Sequence, residues 1–204
     1  MSKILPILFN TKMVQAILDE RKTCTRRLVK PQPTAHYGTL CIKSPYQPGD
    51  ILYVRETWTK ESGKYYFRAD YGSDYLDACE TLSGGYPASC RNYAGCEGCT
   101  ATSTRIHWHP SIHMPKEAAR IWLKVTDVRV ERLQDMDWKD ALREGINTQF
   151  AQDKYGVYIF DENPLDDFVE LWNSTIKKSD LDRYGWHANP WVWVIEFEQC
   201  EKLN

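Results

Sequence analysis

The sequence lacks any long apolar run, and no stretch approaches the roughly 20 residues that a membrane-spanning helix requires. It also lacks a secretory leader with a cationic start and an apolar centre. These two absences predict a cytoplasmic protein without a membrane span. Internal repeats are missing as well, which argues against repeat architectures. At 204 residues the chain suits one domain with an elaboration or two small domains, and we expect a single domain, 1–204.

Neither sign of charge dominates, because the formal net charge is only −2. The distribution is nevertheless uneven. Residues 1–60 hold ten Lys or Arg against four Asp or Glu, so this part carries +6 and the remainder carries −8. A basic end on an acidic body favours a phosphate-bearing partner such as RNA, although an uneven surface explains the same numbers. The eight Trp and twelve Tyr could stack on bases as well as fill a core.

Cysteine is not scarce, and seven thiols in a cytoplasmic chain more often bind metal than form disulfides. Residues 70–105 are poor in aliphatic side chains and are interpreted as an insertion that cannot fold on its own apolar surface. Such a segment needs a cross-link, such as a bound metal ion, to become ordered. Four of the thiols lie there: Cys79, Cys90, Cys96 and Cys99. Their spacing, with a "CEGC" knuckle, predicts a structural zinc site, while free thiols in a loose loop and redox chemistry are the alternatives. One of three nearby histidines could replace a cysteine: His107, His109 or His113.

The periodicity of apolar residues predicts elements in the order β-α-β-β-insertion-β-α-α-β. A long strand over 119–133 should bend or bulge near Thr126 and Asp127. Asp137 and Asn163 are expected to cap two helices, and Gly145 should end the first of them. The crossover helices are too few to cover both faces of a parallel sheet. We therefore expect an α+β fold, a small mixed β-barrel with short flanking helices.

The most basic stretch, "DERKTCTRRLVKPQP" over 19–33, follows a short predicted helix. Such a stretch is most often a solvated turn, but it could also clamp phosphate or carry chemistry. Neighbouring arginines would pull the pKa of Lys22 toward neutrality, so that Lys22 could act as a base. A threonine hydroxyl such as that of Thr25 needs such a base to become a nucleophile. Cys24 is either a reactive thiol or, as we favour, a packed residue.

Five motifs in order resemble the ASCH domain family, whose members have a PUA-like fold, a small β-barrel with flanking helices. They are "ILDERKTCTRR", "PGDILYVRETW", "IHMPKEAARIWLKVTDVRVERLQDM", "ALREGI" and "NPWVWVIEFE". Together they resemble the phage-type ASCH proteins through nearly the whole chain outside about 70–105. The basic motif is similar to the "GRKTxTxR" pattern of bacterial N4-acetylcytidine amidohydrolases, although Glu20 stands where those enzymes carry a small residue.

The resemblance implies a catalytic set of Lys22, Thr25 and Glu144, with Arg27 matching the family's arginine. Further residues are expected to bind the substrate in the same cleft: Arg21, Arg26, Arg27, Arg55, Glu56, Trp58, Asn189 and Trp191. Glu56 could accept from a cytosine amine, and Trp58 or Trp191 could stack on a base. A structural Arg–Glu pair above a packed Trp is the alternative for "VRETW".

These expectations lead to one favoured function and two alternative functions. The first is a protein that binds RNA or a modified nucleoside in a basic cleft and hydrolyses an acyl amide, as in N4-acetylcytidine. The second is a binding module that uses the same cleft without breaking a bond. The third is a metal-independent ribonuclease that acts on single-stranded RNA. No organic cofactor is expected for any of them.

Overall fold

The computed structural model describes residues 2–33, 43–61, 63–71, 107–148, 150–152, 158–160 and 163–202. Its strands are β1 Ile4–Leu8, β2 Cys24–Leu28, β3 Ile51–Arg55, β4 Trp58–Glu61, β5 Lys64–Phe67, β6 Trp122–Arg132, β7 Phe150–Gln152, β8 Tyr158–Phe160 and β9 Trp191–Cys200. Its helices are α1 Thr11–Leu18, α2 Trp138–Arg143, α3 Pro164–Thr175 and α4 Leu181–Tyr184. The mixture of strands and short helices confirms the α+β class. None of these helices is long and apolar enough to cross a bilayer.

Local signals start and stop the helices where the sequence predicts. The side chain of Asn10 accepts a hydrogen bond from the Met13 N–H at 2.9 Å and begins α1. Asp137 caps α2 in the same way, by accepting from the Asp140 N–H at 2.9 Å. Asn163 caps α3, whose first position is a proline. The predicted caps of α2 and α3 are therefore confirmed.

The main sheet has five strands in the order β1-β3-β6-β9-β2. β1 and β3 are parallel, and the other neighbours are antiparallel, so the sheet is mixed. The register of β6 against β9 shifts between Val125 and Asp127, which confirms the predicted bulge. β4 and β5 form a separate hairpin, and β7 pairs with β8. The residues that the structure describes do not show a closed barrel.

Strand β2 is among the elements that the sequence analysis missed, as are β7, β8 and α4. Its residues Cys24–Leu28 lie within the basic stretch and pair with Ile195 and its neighbours in β9. β2 ends one side of the sheet and β1 ends the other. The two edges approach each other at one point, where Arg27 Nη2 donates to the carbonyl of Leu8 at 2.7 Å. The basic stretch is therefore part of the sheet rather than a turn outside it.

The core lies on both sides of β9. Trp193, Ile195 and Phe197 belong to the larger apolar cluster, which α1 also enters through Val14 and Ile17. The alternate residues of β9 belong to a second cluster with α2 and α3, whose buried members include Val192, Val194, Phe168 and Trp172. Helices thus cover both faces of the sheet at β9. This arrangement brings α1, α2 and α3 together near the free edge of β2.

The prediction of an insertion over about 70–105 falls almost entirely on residues 72–106, outside the described part of the chain. Up to Tyr71 and from His107 onward, the flanking segments are close in space. Trp58 and His109 form an isolated antiparallel bridge, with hydrogen bonds of 3.1 and 2.7 Å between their backbones. The single-domain assignment stays a prediction.

Candidate functional site

The chain leaves α1 through a left-handed residue that directs the basic stretch toward the sheet edge. Glu20 has a φ of 60°, in a region that side chains other than glycine rarely adopt. The N–H groups of Arg21 and Lys22 both donate to the carbonyl of Ala16, each at 2.9 Å. These bonds satisfy the end of the helix and start the segment that becomes β2.

Lys22 is an interior lysine that contacts three acceptors. Its side chain is only 1% exposed. Its Nζ donates to the carbonyl of Cys24 at 2.8 Å, to the carbonyl of Glu144 at 2.8 Å, and to Glu144 Oε2 at 2.7 Å. An ammonium group has three N–H donors, so this set of acceptors satisfies all of them. Lys22 and Glu144, 122 positions apart in the chain, form a buried ion pair.

Gly145 allows the end of α2 to approach Lys22 this closely. It has a φ of 96°, and a Cβ added there would lie 2.7 Å from Ala16 Cβ and 3.0 Å from Lys22 Cβ. The N–H of Thr23 also donates to the carbonyl of Arg143 at 2.9 Å. The predicted stop at Gly145 is confirmed, and the same glycine determines how near Glu144 comes to the basic stretch.

Arg26 is buried to the same degree as Lys22 and is surrounded by carboxylates. Its side chain is 1% exposed. Nη2 lies 3.0 Å from Asp140 Oδ2 and 3.6 Å from Glu131 Oε2, while Nη1 lies 3.4 Å from Glu144 Oε1. Its Nε is buried and has no hydrogen-bond partner in the part of the chain that the structure describes. Arg26 is therefore an interior partner of acids and is not available at the surface for phosphate.

Thr25 and Arg27 carry polar groups that remain available to hydrogen bond with a ligand in the site. Thr25 is 4% exposed, and among the described residues its hydroxyl makes no hydrogen bond. Arg27 donates to the Leu8 carbonyl, and its guanidinium lies 5.3 Å from the centre of the Phe9 ring. No described carboxylate pairs with Arg27, and burial lowers the pKa of its guanidinium. A bound ligand could therefore accept from Arg27 and contact the Thr25 hydroxyl.

These side chains line one cavity of about 190 Å³. The polar lining comes from β2, from the segment just before it and from the end of α2: Lys22, Thr25, Arg26, Arg27 and Glu144. The facing wall is mainly apolar and comes from the start of α1 and from α3, through Phe9, Met13, Phe168, Leu171 and Trp172. Such a cavity suits a flat ring that carries polar groups on one edge.

A second, wider cavity of about 610 Å³ lies beside the first and shares Met13 and Leu171 with it. Arg21 lines this second cavity rather than the first. Its Nη1 donates to the Gly145 carbonyl at 2.9 Å, and its Nη2 pairs with Asp19 at 3.0 Å. The predicted binding residue Arg21 thus lies in the neighbouring cavity, separated from the catalytic candidates by Met13 and Leu171.

Cys24 is a packed thiol within the site. It is 1% exposed, and burial raises the pKa of the thiol to about 12, with a smaller contribution from Glu144. At neutral pH the thiol stays protonated and cannot act as a nucleophile. Of the two interpretations that the sequence allowed, the geometry supports the packed residue.

The structure does not bring the "VRETW" residues to this cavity. Arg55 donates to the carbonyl of Ile112. Glu56 is fully buried and makes a two-pronged contact with Arg120, at 2.9 and 3.0 Å. Burial raises the pKa of the Glu56 carboxyl, while Arg120 opposes that shift. Trp58 packs against Tyr65 and His109, with ring centres 5.7 and 4.9 Å apart.

The two predicted residues of "NPW" lie at the other end of β9. Asn189 is left-handed, with a φ of 47°, and its side chain accepts from the Gln134 N–H at 2.9 Å. Trp191 lies under the guanidinium of Arg132, 4.3 Å from the ring centre. Neither residue lines the cavity that contains Lys22. Asn189 shapes the turn before β9, and Trp191, the first residue of β9, packs against the larger apolar cluster.

The predicted zinc ligands Cys79, Cys90, Cys96 and Cys99 lie outside the described residues. Within the described ranges, no group of three or more His, Cys, Asp or Glu side chains could hold a metal ion. The rings of His107 and His109 contact each other edge-on at 4.9 Å, directly after the segment that carries the cysteines. The zinc site stays a prediction.

Sequence reasoning missed several residues that make this site. Asp140 and Glu131 hold Arg26, and Phe9 and Trp172 form the facing wall. The only local signal was the four-residue spacing of Asp140 and Glu144, which places both carboxylates on one face of α2. No signal in the sequence linked that face to Arg26 in β2.

Comparison with known proteins identifies no relative of this chain. No protein-family model, no curated protein and no solved structure matches the chain. The resemblance to the ASCH family therefore stays a prediction based on the quoted motifs. Any function has to follow from the cavity and from the side chains that line it.

Proposed function

We propose that this chain is an ASCH-type protein whose cavity takes an acylated nucleobase and hydrolyses its acyl amide, as in N4-acetylcytidine. One observation carries the proposal. The buried ion pair of Lys22 and Glu144 lines the same cavity as the Thr25 hydroxyl, which has no partner among the described residues. These are the three residues to which the resemblance assigns catalysis.

The chemistry needs a proton acceptor, a nucleophile and a cation. Lys22 passes a proton to Glu144 across their 2.7 Å contact. When a bound substrate brings the Thr25 hydroxyl within hydrogen-bond reach, Lys22 takes its proton. The Thr25 oxygen bonds to the amide carbonyl carbon, and Arg27 stabilises the negative oxygen that results. The carbon–nitrogen bond then breaks, and Lys22 returns the proton to the leaving amine. Water hydrolyses the acyl-threonine to a carboxylic acid and restores the hydroxyl.

The size and charge of the site favour a nucleoside over a long strand. A cavity of about 190 Å³ is small, and its apolar wall offers Phe168 and Trp172 to the face of a ring. The +6 charge of residues 1–60 includes Lys22 and Arg26, both buried in ion pairs. These two cations do not contribute free charge to a surface that would attract a polyanion.

A binding module without catalysis is the second candidate, and a specific observation favours it. All three N–H groups of Lys22 have acceptors, as expected of an ammonium ion that does not act as a base. In that case the cavity holds a nucleobase through Arg27 and the Thr25 hydroxyl, and no bond is broken.

For the fold, we propose that the mixed sheet is a PUA-like barrel. The contact of 2.7 Å between Arg27 Nη2 and the Leu8 carbonyl supports this proposal, because it joins the two edge strands of the sheet. Closure between edges is how small β-barrels avoid free strands.

The test is incubation of the purified protein with N4-acetylcytidine, followed by separation of cytidine from substrate. We expect turnover by the natural chain, and a loss of about a thousandfold or more in Thr25→Val, which keeps the shape and removes the nucleophile. Thr25→Ser should restore part of the rate. Thr59→Val is the matched control, because Thr59 is also buried but lies on β4, outside the cavity.

The other outcomes separate the rivals. Binding of cytidine without turnover of any acylated cytidine would contradict hydrolysis and favour the binding module. Shortened products from single-stranded RNA, lost in Thr25→Val or Arg27→Met, would favour the ribonuclease. Full turnover in Thr25→Val would show that the threonine is not the nucleophile.

A further inference from the structure

A network of ion pairs leads from the cavity to the surface, beyond the residues that the proposed reaction uses. It alternates cations and carboxylates across β2, β6, β9 and α2. Its members are Lys22, Glu144, Arg26, Asp140, Glu131, Arg143, Arg129, Glu196 and Asp127. Only the inner members, Lys22, Arg26 and Glu144, line the cavity.

Helix α2 supplies two of the carboxylates in the inner part of the network. Asp140 and the terminal residue Glu144 are four positions apart, so they lie on the same face. Two like charges at this spacing repel each other unless a cation lies between them. Arg26 from β2 fills that place, since it contacts Asp140 at 3.0 Å and Glu144 at 3.4 Å.

The two contacts of Arg26 are unequal, and the difference matters for Glu144. The hydrogen bond to Asp140 has an ordinary length, whereas the one to Glu144 is long for a charged pair. Glu144 instead makes its short contact, 2.7 Å, with Lys22. Asp140 thus holds the guanidinium on its own side and leaves Glu144 for the lysine. Glu131, at 3.6 Å, adds a second attraction in the same direction.

We propose that Asp140, assisted by Glu131, is a positioning residue that holds Arg26 away from Glu144 and so keeps Glu144 oriented toward Lys22. The catalytic meaning of this inference rests on the proposed function, but the geometric claim does not. Without the charge of Asp140, the buried guanidinium has Glu144 as its nearest full partner and moves toward it. The hydrogen bond from Lys22 to the Glu144 carboxylate, its strongest acceptor, then weakens.

The kinetic test is Asp140→Asn, which keeps size and removes charge. We expect kcat on N4-acetylcytidine to fall roughly tenfold or more, because a displaced catalytic group is costly, with KM changed less than twofold. Asp140→Glu should recover most of the loss. Asp127→Asn is the matched control, because within the described ranges Asp127 pairs only with the outer residue Arg129, at 3.4 Å. Equal effects of Asp140→Asn and Asp127→Asn, or a change in KM alone, would overturn the proposal.

A second measurement does not depend on turnover. The ammonium of Lys22 is buried in three hydrogen bonds, so its ¹⁵Nζ resonance should show slow proton exchange in the natural chain. We expect this exchange to become about tenfold faster in Asp140→Asn. The increase should be smaller in Glu131→Gln, and Asp127→Asn should leave the exchange rate unchanged. Unchanged exchange in Asp140→Asn would refute the positioning role. A protein that shows the change but hydrolyses no acylcytidine would refute the proposed function alone.

Discussion

A lysine removed from water needs a partner for each of its N–H groups, and Lys22 has all three. Its acceptors are two backbone carbonyls and one carboxylate oxygen, which offset the cost of burying the charge. A basic string in a sequence usually marks solvated surface, yet Lys22 and Arg26 are interior side chains here. Substitution of Lys22 therefore affects the stability of the fold as well as its chemistry.

At this scale the first prediction concerns Lys22→Met, which removes the charge and keeps the length of the side chain. It leaves the buried Glu144 carboxylate without its closest partner. We expect the free energy of unfolding to fall by about 3–5 kcal/mol, the usual cost of breaking a buried ion pair from one side. Urea unfolding followed by circular dichroism measures this change.

The control for Lys22→Met is the double variant Lys22→Met/Glu144→Gln. Because it removes the uncompensated charge, it should recover a large part of the lost stability. An unfolding midpoint for Lys22→Met equal to that of the natural chain would show that Arg26 alone compensates Glu144.

Among the elements, the close approach of α1 and α2 decides where the site forms. A left-handed residue follows the end of each helix, Glu20 after α1 and Gly145 after α2. The two ends meet at Ala16 and Lys22, where there is no room for a side chain on residue 145. The position of Glu144 relative to β2 therefore depends on two helix ends and on one glycine.

The prediction at this scale is that Gly145→Ala is much more destabilising than Gly63→Ala. Both glycines have a positive φ, 96° and 83°, but only Gly145 has neighbours within 4 Å of an added Cβ. Gly63→Ala should cost about 1–2 kcal/mol, the strain of a left-handed alanine. Gly145→Ala adds overpacking of about 1–3 kcal/mol and should also reduce turnover. Equal losses in urea unfolding would contradict the close packing.

For the whole molecule, two features extend beyond the site. The ion-pair network joins four cations to five carboxylates across three strands and one helix, so the basic and acidic parts of the sequence meet in space. The cysteine-rich segment lies between Tyr71 and His107 in the sequence, outside the described residues. Such a segment has few aliphatic residues and would gain order from a metal ion.

The whole-molecule prediction is that the purified chain binds about one zinc ion through a closed set of thiols. Metal analysis by mass spectrometry should find close to one equivalent, which Cys96→Ser and Cys99→Ser strongly reduce. Cys200→Ser is the matched control, because this free cysteine lies at the end of β9. Zinc well below one equivalent in the natural chain would contradict the site.

Much of the fold followed from local signals. The caps Asp137 and Asn163, the stop at Gly145 and the bulge after Val125 are all properties of short segments. Strand β2 was different, because "CTRRL" has neither apolar alternation nor a run of strand-forming residues. Its partner β9 lies more than 160 positions later, and the ladder between them makes β2 a strand.

The candidate site, like the fold, was partly predictable from the sequence and partly decided by the tertiary structure. The sequence alone, through the motif around Lys22 and the "ALREGI" segment, determined which residue types to examine for chemistry. Only the tertiary structure decided that Lys22 and Glu144 pair, that Asp140 holds Arg26, and that Glu56 pairs with Arg120 elsewhere. The physical reason is that capping and periodicity act within a few residues. Burial of a charge depends instead on partners that only the folded chain brings together.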